Sequence, residues 1–284
     1  MIILKGAKAA ERLKEQVQAM VDTLDGHAPT AALIRVGARP DDVSYERNVM
    51  KWISAFGMEA RSFVFPGEIP EEEFVQAFRE INADAAIDGI LLFRPLPKQL
   101  DEKRLERLIR PEKDLDGISP FNTAKVFAGE TDGFAPCTAE AVMEILRTYE
   151  IPVEGKRAVI VGRSMVVGRP LSMLLLKENA TVTVCHTRTR NLKEVCREAE
   201  VLVAAAGKAG MLDGTYVAPE AVVLDVGINV GADGKLCGDV RWDGLEETAS
   251  AATPVPGGVG AVTTAVLAKH LAQAAVRRSQ ALRK

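Results

Sequence analysis

The sequence predicts an α/β fold in two domains, and three observations predict it. The chain has 284 residues, 47% hydrophobic and 26% charged, which is enough to bury a sizeable core at a length where single cores tend to split. From residue 1 to about 120, helical and extended hydrophobic periods alternate, the mark of βαβ units with parallel strands. A second series of strand, glycine turn and helix starts at Arg157. The predicted domains are 1–120, joined by a C-terminal helical segment 261–284, and 138–260.

In the first domain a helix is expected from about Ala7 to Leu24, then the strand Ala31–Val36 ended by Gly37. A helix from about Val43 to Phe56 follows, with Gly57 closing it as a C-cap. Ser62–Phe65 reads as a strand, and Glu71–Asn82 as a helix whose acidic start suits the positive end of the helix dipole. The strand Asp88–Phe93 runs into Arg94-Pro95-Leu96-Pro97, where two prolines end the ladder. Residues 111–137 are rich in Pro, Gly, Asp and Asn and read as irregular. A helix from about Thr138, its expected N-cap, to Tyr149 leads into the second domain.

Composition narrows the function. Thirty-six Lys and Arg against 39 Asp and Glu leave a formal charge of −3, so no basic excess points to nucleic acid or an anionic membrane, and a small-molecule partner is expected. The start turns into a charged amphipathic helix and no long apolar run follows, so a cytoplasmic location is expected. Cys137, Cys185, Cys196 and Cys237 form no C-x-x-C pair, and His27, His186 and His270 are scattered. No metal site is expected, and the cysteines read as small, mostly buried apolar residues.

Arg157–Val161 is a β-rich run followed at once by Gly162-Arg-Ser-Met-Val-Val-Gly168-Arg-Pro170 and the apolar helix Leu171–Leu176. This is Rossmann order: a tight turn without a Cβ in the way, and helix N–H groups aimed at a phosphate. The spacing G-x-S-x-x-x-G departs from G-x-G-x-x-G, so an ordinary βα turn stays open as the other reading. The next strand, Thr181–Cys185, ends in His186-Thr187-Arg188-Thr189-Arg190 without the carboxylate that would bind a ribose 2′-hydroxyl. Arg163, with Thr187 or Arg188, suits a 2′-phosphate instead, which favours NADP over NAD; a solvated basic turn is the alternative for Arg188 and Arg190. Strands over 200–207 and 221–229 end in glycine turns, and Gly207 and the backbone from Gly227 to Ile228 are placed to approach the nicotinamide.

Together these motifs resemble the methylenetetrahydrofolate dehydrogenase/cyclohydrolase family of the FolD type. The likeness rests on Val36-Gly37 with Tyr45 behind it, Asp88-Gly-Ile-Leu91, Pro95-Leu-Pro97, and Pro111-Glu-Lys-Asp-Leu-Asp-Gly117. It continues through Pro136-Cys-Thr138, Val161-Gly-Arg-Ser164, Val167-Gly-Arg-Pro170, Asp225-Val-Gly-Ile-Asn229 and Thr253-Pro-Val-Pro-Gly-Gly-Val-Gly260. The resemblance implies a homodimer of two-domain α/β subunits, a Rossmann-type NADP domain, and a folate cleft between the domains. It implies oxidation of 5,10-methylenetetrahydrofolate to the methenyl form by direct hydride transfer, followed in the family by hydrolysis to 10-formyltetrahydrofolate. Tyr45 would pack on the folate ring, Phe93 would border it and Asp116 would accept hydrogen bonds from it. Pro256, Gly257 and Gly258 would line the same site, with Gly162, Arg163, Ser164, Thr187, Arg188, Gly207 and Ile228 on the cofactor.

The hydrolytic step in the family uses a lysine four residues after the tyrosine and a glutamine at the end of the third strand. Here those positions hold Val49 and Phe93. Four residues advance about 400° on a helix and six about 600°, so Val49 lies beneath Tyr45 and Lys51 faces elsewhere. The expectation is therefore a dehydrogenase with doubtful hydrolysis. The alternatives are a bifunctional enzyme that recruits Lys51 or Arg94 and a non-catalytic binder of NADP or folate; a dehydrogenase of another small substrate on the same plan also stays open.

Overall fold

The computed structural model describes residues 1–231 and 234–282; the last two positions of the expected C-terminal segment lie outside the described residues. The chain divides into two compact units, one of residues 1–12 with 136–263, the other of residues 13–135 with 264 onward. In chain order, β1 (Ile2–Ile3) and α1 (Gly6–Val21) come first, then β2 (Thr30–Val36), α2 (Pro40–Ala55), β3 (Glu59–Phe65), α3 (Glu71–Ala83) and β4 (Gly89–Leu92). α4 (Glu102–Leu108), α5 (Pro120–Ala128) and α6 (Cys137–Thr148) follow. Next are β5 (Arg157–Val161), α7 (Gly168–Lys177), β6 (Thr181–Cys185), α8 (Leu192–Cys196), β7 (Val201–Ala204) and β8 (Val222–Asp225). The hairpin β9 (Asn229–Val230) and β10 (Leu236–Cys237), α9 (Leu245–Thr248), β11 (Ala251–Ala252) and α10 (Gly260–Leu282) complete the fold.

The second unit is built on a parallel sheet of order β3-β2-β4. Its central strand reads Thr-Ala-Ala-Leu-Ile-Arg-Val and every residue is buried, as expected where a parallel sheet is covered on both faces. Phe74, Phe78, Ile81 and Ile87 pack with Ile34, Ile90 and Leu92 in its core, each fully buried large side chain contributing about 1.5–3 kcal/mol before entropy is charged. The turn β2 makes toward β3 on one side and β4 on the other marks a topological switch point, where open α/β sheets bind ligands at strand C-termini. From Thr264 on, α10 belongs to this unit; His270 Nδ1 lies 2.7 Å from the Leu115 carbonyl and Arg278 pairs with buried Asp88 at 2.7 Å.

The first unit carries a six-stranded parallel sheet of order β1-β11-β8-β7-β5-β6. Its switch point falls at β5, with β6 on one side and β7 on the other. Val159, Val161, Leu202, Ala204 and Val223 form its core.

Three expectations need correction. Residues 1–12 do not belong with the N-terminal domain: Ile2 and Ile3 pair with Ala251 and Ala252, and the Gly6 N–H donates to the Gly257 carbonyl at 2.8 Å. A two-residue strand is too short to show a period, so this pairing left no trace in the pattern. Residues 111–137 are not all irregular, since α5 runs through them. Ser119 caps it by accepting from the Asn122 N–H at 3.1 Å, Pro120 fills its first turn, and Gly129 ends it with φ +73°, all three being helix boundary signals. Thr138 is no N-cap, because α6 already begins at Cys137 behind Pro136.

Candidate functional site

In the first unit the ligand edge is made mostly of backbone. Gly162, at φ +140°, leaves β5 so close to β7 that a Cβ there would collide with the Ala205 carbonyl oxygen. Gly168 opens α7 against the Gly162 carbonyl, where again no Cβ fits. Ser164 Oγ accepts from the Val167 N–H at 3.1 Å and holds the turn between them. The Arg169 N–H donates to the Ser164 carbonyl at 3.1 Å and residue 170 is proline, so what this helix of 10 residues offers an anion at the turn is its positive dipole end. Arg163 and Ser164 are exposed on this turn.

At the tip of β6 the Arg188 N–H donates to His186 Nδ1 at 3.1 Å, and the His186 N–H to Thr189 Oγ1 at 2.8 Å. This tight turn leaves Thr187 and Arg188 exposed, and neither Arg163 nor Arg188 has a side-chain partner among the described residues. The cradle without Cβ atoms and these two open guanidiniums fit a dinucleotide with a phosphorylated ribose.

Further along the edge, Gly207 is exposed at φ +64° and Ile228 is 65% exposed. Two buried carboxylates lie beneath them. Asp239 has no exposure and accepts from the N–H groups of Ala206, Gly207 and Lys208 at 2.6, 2.9 and 2.8 Å. Asp225 accepts from Gly227, Asp239 and Val240 at 2.9, 3.0 and 2.8 Å. Burial pushes the Asp225 carboxyl up to about 6, against the pull of those three N–H groups. Asp239 lies in none of the motifs and Asp225 only at the head of Asp225–Asn229; the local sign of both is a glycine beside each carboxylate, Gly227 and Gly238, where a Cβ would collide with Asp239 and Asp225. Pro256, Gly257 and Gly258 lie with Asp225, Gly227 and Ile228 around a cavity of about 300 Å³.

In the second unit the edge is made of side chains. Buried Glu46 of α2 accepts from Arg35 Nε of β2 at 2.9 Å and from Ser62 of β3, which fixes the helix against the sheet. Tyr45, the neighbour of Glu46, then meets Phe93 edge-on, with ring centroids 5.9 Å apart and planes at 69°. Phe93 is buried and closes the ladder by donating its N–H to Ile34 at 2.9 Å.

The Pro111–Gly117 loop splits its charges between two jobs. Lys113 is buried and donates to the carbonyls of Asn82 and Asp84 at 3.0 and 2.6 Å. Asp114 accepts from the N–H groups of Ile118 and Ser119 at 3.0 and 2.7 Å. Asp116 is left half-exposed beside Arg94, at 3.6 Å. Arg94 also meets Glu102 and Glu106, each at 3.4 Å. Burial raises the Glu106 carboxyl above the usual carboxylate range, with Arg94 opposing and Glu102 adding to the rise. The structure thus brings Tyr45 to Phe93, and Asp116 to Arg94. It does not bring Lys51 to Tyr45: α2 is unbroken from Pro40 to Ala55, Val49 is fully buried one turn below the tyrosine, and Lys51 is exposed on another face.

These features define a two-domain α/β protein with a Rossmann-type dinucleotide unit and a second, side-chain-built ligand edge. Residues 4–116 match the model of the tetrahydrofolate dehydrogenase/cyclohydrolase catalytic domain, and residues 136–279 that of the NAD(P)-binding domain of the same family. The chain belongs to the tetrahydrofolate dehydrogenase/cyclohydrolase family. It is 52% identical over 275 residues to the bifunctional protein FolD of Carboxydothermus hydrogenoformans, covering 95% of this chain and 96% of that one. The structure of the bifunctional enzyme FolD from Campylobacter jejuni superposes with a TM-score of 0.95 at 35% identity, over 98% and 99% of the two chains. That of Trypanosoma brucei methylenetetrahydrofolate dehydrogenase-cyclohydrolase, solved with NADP cofactor and inhibitor, gives 0.91 at 32% identity over 99% and 98%.

Proposed function

We propose that this protein oxidises 5,10-methylenetetrahydrofolate to the methenyl form and also hydrolyses the methenyl product to 10-formyltetrahydrofolate. The observation that carries the reading is that both domain models of one family match, in order, over nearly the whole chain. NADP, when bound, supplies the hydride acceptor. Gly162, Gly168 and the positive end of α7 would hold its pyrophosphate, Arg163, Thr187 and Arg188 its ribose phosphate, and Gly207 and Ile228 would border its nicotinamide. Tyr45 and Phe93 pack on the folate ring and Asp116 takes its hydrogen bonds, while Pro256, Gly257 and Gly258 line the cavity beside Asp225 and Ile228 in their own unit. Hydride transfer needs alignment at near-attack distance more than acid–base help, so Val49 and Phe93 leave this step intact. The subunit acts as a homodimer, which light scattering tests.

The relatives named bifunctional weigh against loss of the hydrolytic step, and the geometry of α2 weighs against Lys51 as its base. Arg94, which follows Phe93, gathers Glu102, Glu106 and Asp116 about it. A guanidinium cannot take a proton at neutral pH. Glu106, raised by burial, is suited to take one from the attacking water as it adds to the methenyl carbon, with Arg94 steadying the carboxylate; the C–N5 bond then breaks as N5 takes up that proton and the adduct hydroxyl releases its own to solvent, leaving the formyl group on N10. Paired assays of NADPH formation and methenyltetrahydrofolate decay test the whole reading. Both rates above buffer support it; no NADPH with either nicotinamide cofactor refutes the oxidation, and decay no faster than buffer refutes the hydrolysis. Glu106→Gln is expected to slow decay at least tenfold while oxidation changes less than threefold.

A further inference from the structure

The dinucleotide edge has an unusual support. Asp239 Oδ2 accepts from the N–H groups of Ala206 and Gly207, and Oδ1 from the Lys208 N–H and from Asn229 Nδ2 at 2.9 Å. Its four partners are neutral, and no cation pairs with it among the described residues. One carboxylate with no exposure therefore joins the turn after β7 to the start of β9. Asp225, at the end of β8, in turn receives the N–H groups of Asp239 and Val240, so the second carboxylate fixes the backbone that carries the first.

Two adjacent carboxylates without a counter-ion are a costly way to hold loops together, since apolar packing does the same with no charge to desolvate. What the carboxylates do that apolar side chains cannot is fix individual N–H groups in direction and register. The segments so fixed are those bearing Gly207 and Ile228, next to the cavity lined by Asp225, Gly227 and Ile228. The Gly162 turn abuts Ala205, just before the Gly207 segment, but the hydrogen bonds that hold the Gly162 turn and the tip of β6 involve neither carboxylate.

We propose that Asp239 is a positioning residue for the nicotinamide half of the dinucleotide, holding the 206–208 turn and Asn229 in the register that hydride transfer requires, and that it has no part in binding the adenosine half. The inference rests on the dehydrogenase reading above. In Asp239→Asn an amide NH₂ replaces one accepting oxygen, so at least one of the N–H groups loses its acceptor. Calorimetry on the full-length protein would compare NADP with adenosine 2′,5′-bisphosphate, which carries only the adenosine half.

The expected result is NADP affinity weakened about tenfold, kcat lowered at least tenfold, and adenosine 2′,5′-bisphosphate affinity changed less than twofold. Equal weakening of both ligands, or no change in either, overturns the proposal. Should Asp239→Asn fail to fold, Asn229→Ala removes one donor and keeps the three backbone bonds; it is expected to weaken NADP about threefold with adenosine 2′,5′-bisphosphate unchanged, and an equal loss in both again overturns it. NADP binding by the wild type without oxidation of methylenetetrahydrofolate would refute the dehydrogenase reading alone, because the split between the two ligands is read from binding. Absence of NADP binding by the wild type would overturn both.

Discussion

The two sheets place their ligand edges at the same topological point, the C-terminal ends of strands where the winding reverses, yet build them from different materials. Around Gly162 the edge is backbone: two glycines without room for a Cβ, the positive end of α7, and turns tied from below by buried carboxylates. Around Tyr45 it is side chains: an aromatic pair and a guanidinium shared among three carboxylates. Backbone sites bind what is constant in a ligand, a pyrophosphate, and tolerate almost no substitution. Side-chain sites can exchange one group for another while the sheet stays put.

The largest expected effect tests the backbone half. Gly162→Ala introduces a Cβ onto the Ala205 carbonyl at a φ that L-residues rarely adopt, so β5 and β7 must part at the proposed pyrophosphate site. KM for NADP is expected to rise about a thousandfold, equivalent to roughly 4 kcal/mol. Steady-state kinetics beside a melting curve would check it. A variant that folds and keeps the wild-type KM would show that the glycine turn is an ordinary βα connection after all.

The second effect is the hidden cost of that backbone edge. Asp225 titrates at 3.8 when unfolded and is pushed up to about 6 in the fold. The fold therefore holds more protons than the unfolded chain between these values, and stability contributed by the group is full below the lower value and lost as pH rises through the higher one. The difference is worth up to about 3 kcal/mol at about 1.4 kcal/mol per unit. Denaturant titrations from pH 4 to pH 7 are expected to show wild type losing stability relative to Asp225→Asn. Parallel profiles would mean that the three N–H donors fully offset the desolvation.

On the side-chain half, Asp116→Ala is expected to lower kcat/KM for methylenetetrahydrofolate about fiftyfold, roughly 2.3 kcal/mol, with KM for NADP within twofold. The asymmetry is the informative part. Should the two constants move together, the two edges would not be separable as described.

How much of this was legible beforehand follows the same division. The backbone edge could be read because its constraints are local: glycine at 162 and 168, a β-rich run before them, and no carboxylate at the tip of β6 all lie within one stretch of sequence. The support from Asp239 could not, since its partners at 206–208 lie more than 30 positions away and the one local sign, Gly238 beside it, does not say which N–H groups it receives. β1 escaped for the same reason, its pairing with β11 spanning nearly the whole chain. Tyr45, Phe93 and Asp116 were named through the family resemblance, not from periodicity. Glu106 went unnoticed because a glutamate on a charged seven-residue helix looks like a solvated face; only the fold brings it to Arg94.

The smallest expected effect bears on cofactor choice and asks whether the backbone edge is as independent of side chains as described. Pyrophosphate binding by N–H groups cannot tell NADP from NAD, because the two share that part. On the proposed assignment discrimination comes from Arg163, Thr187 and Arg188, and the two arginines are exposed and without a side-chain partner among the described residues. One exposed guanidinium on a phosphate in water contributes about 1–1.5 kcal/mol. Arg163→Ala should therefore raise KM for NADP about tenfold and leave KM for NAD within twofold. Raising the salt should shrink the difference, since the contact is screened. An equal rise for both cofactors would mean that Arg163 shapes the turn itself, and the edge would then depend on a side chain as the Tyr45 edge does.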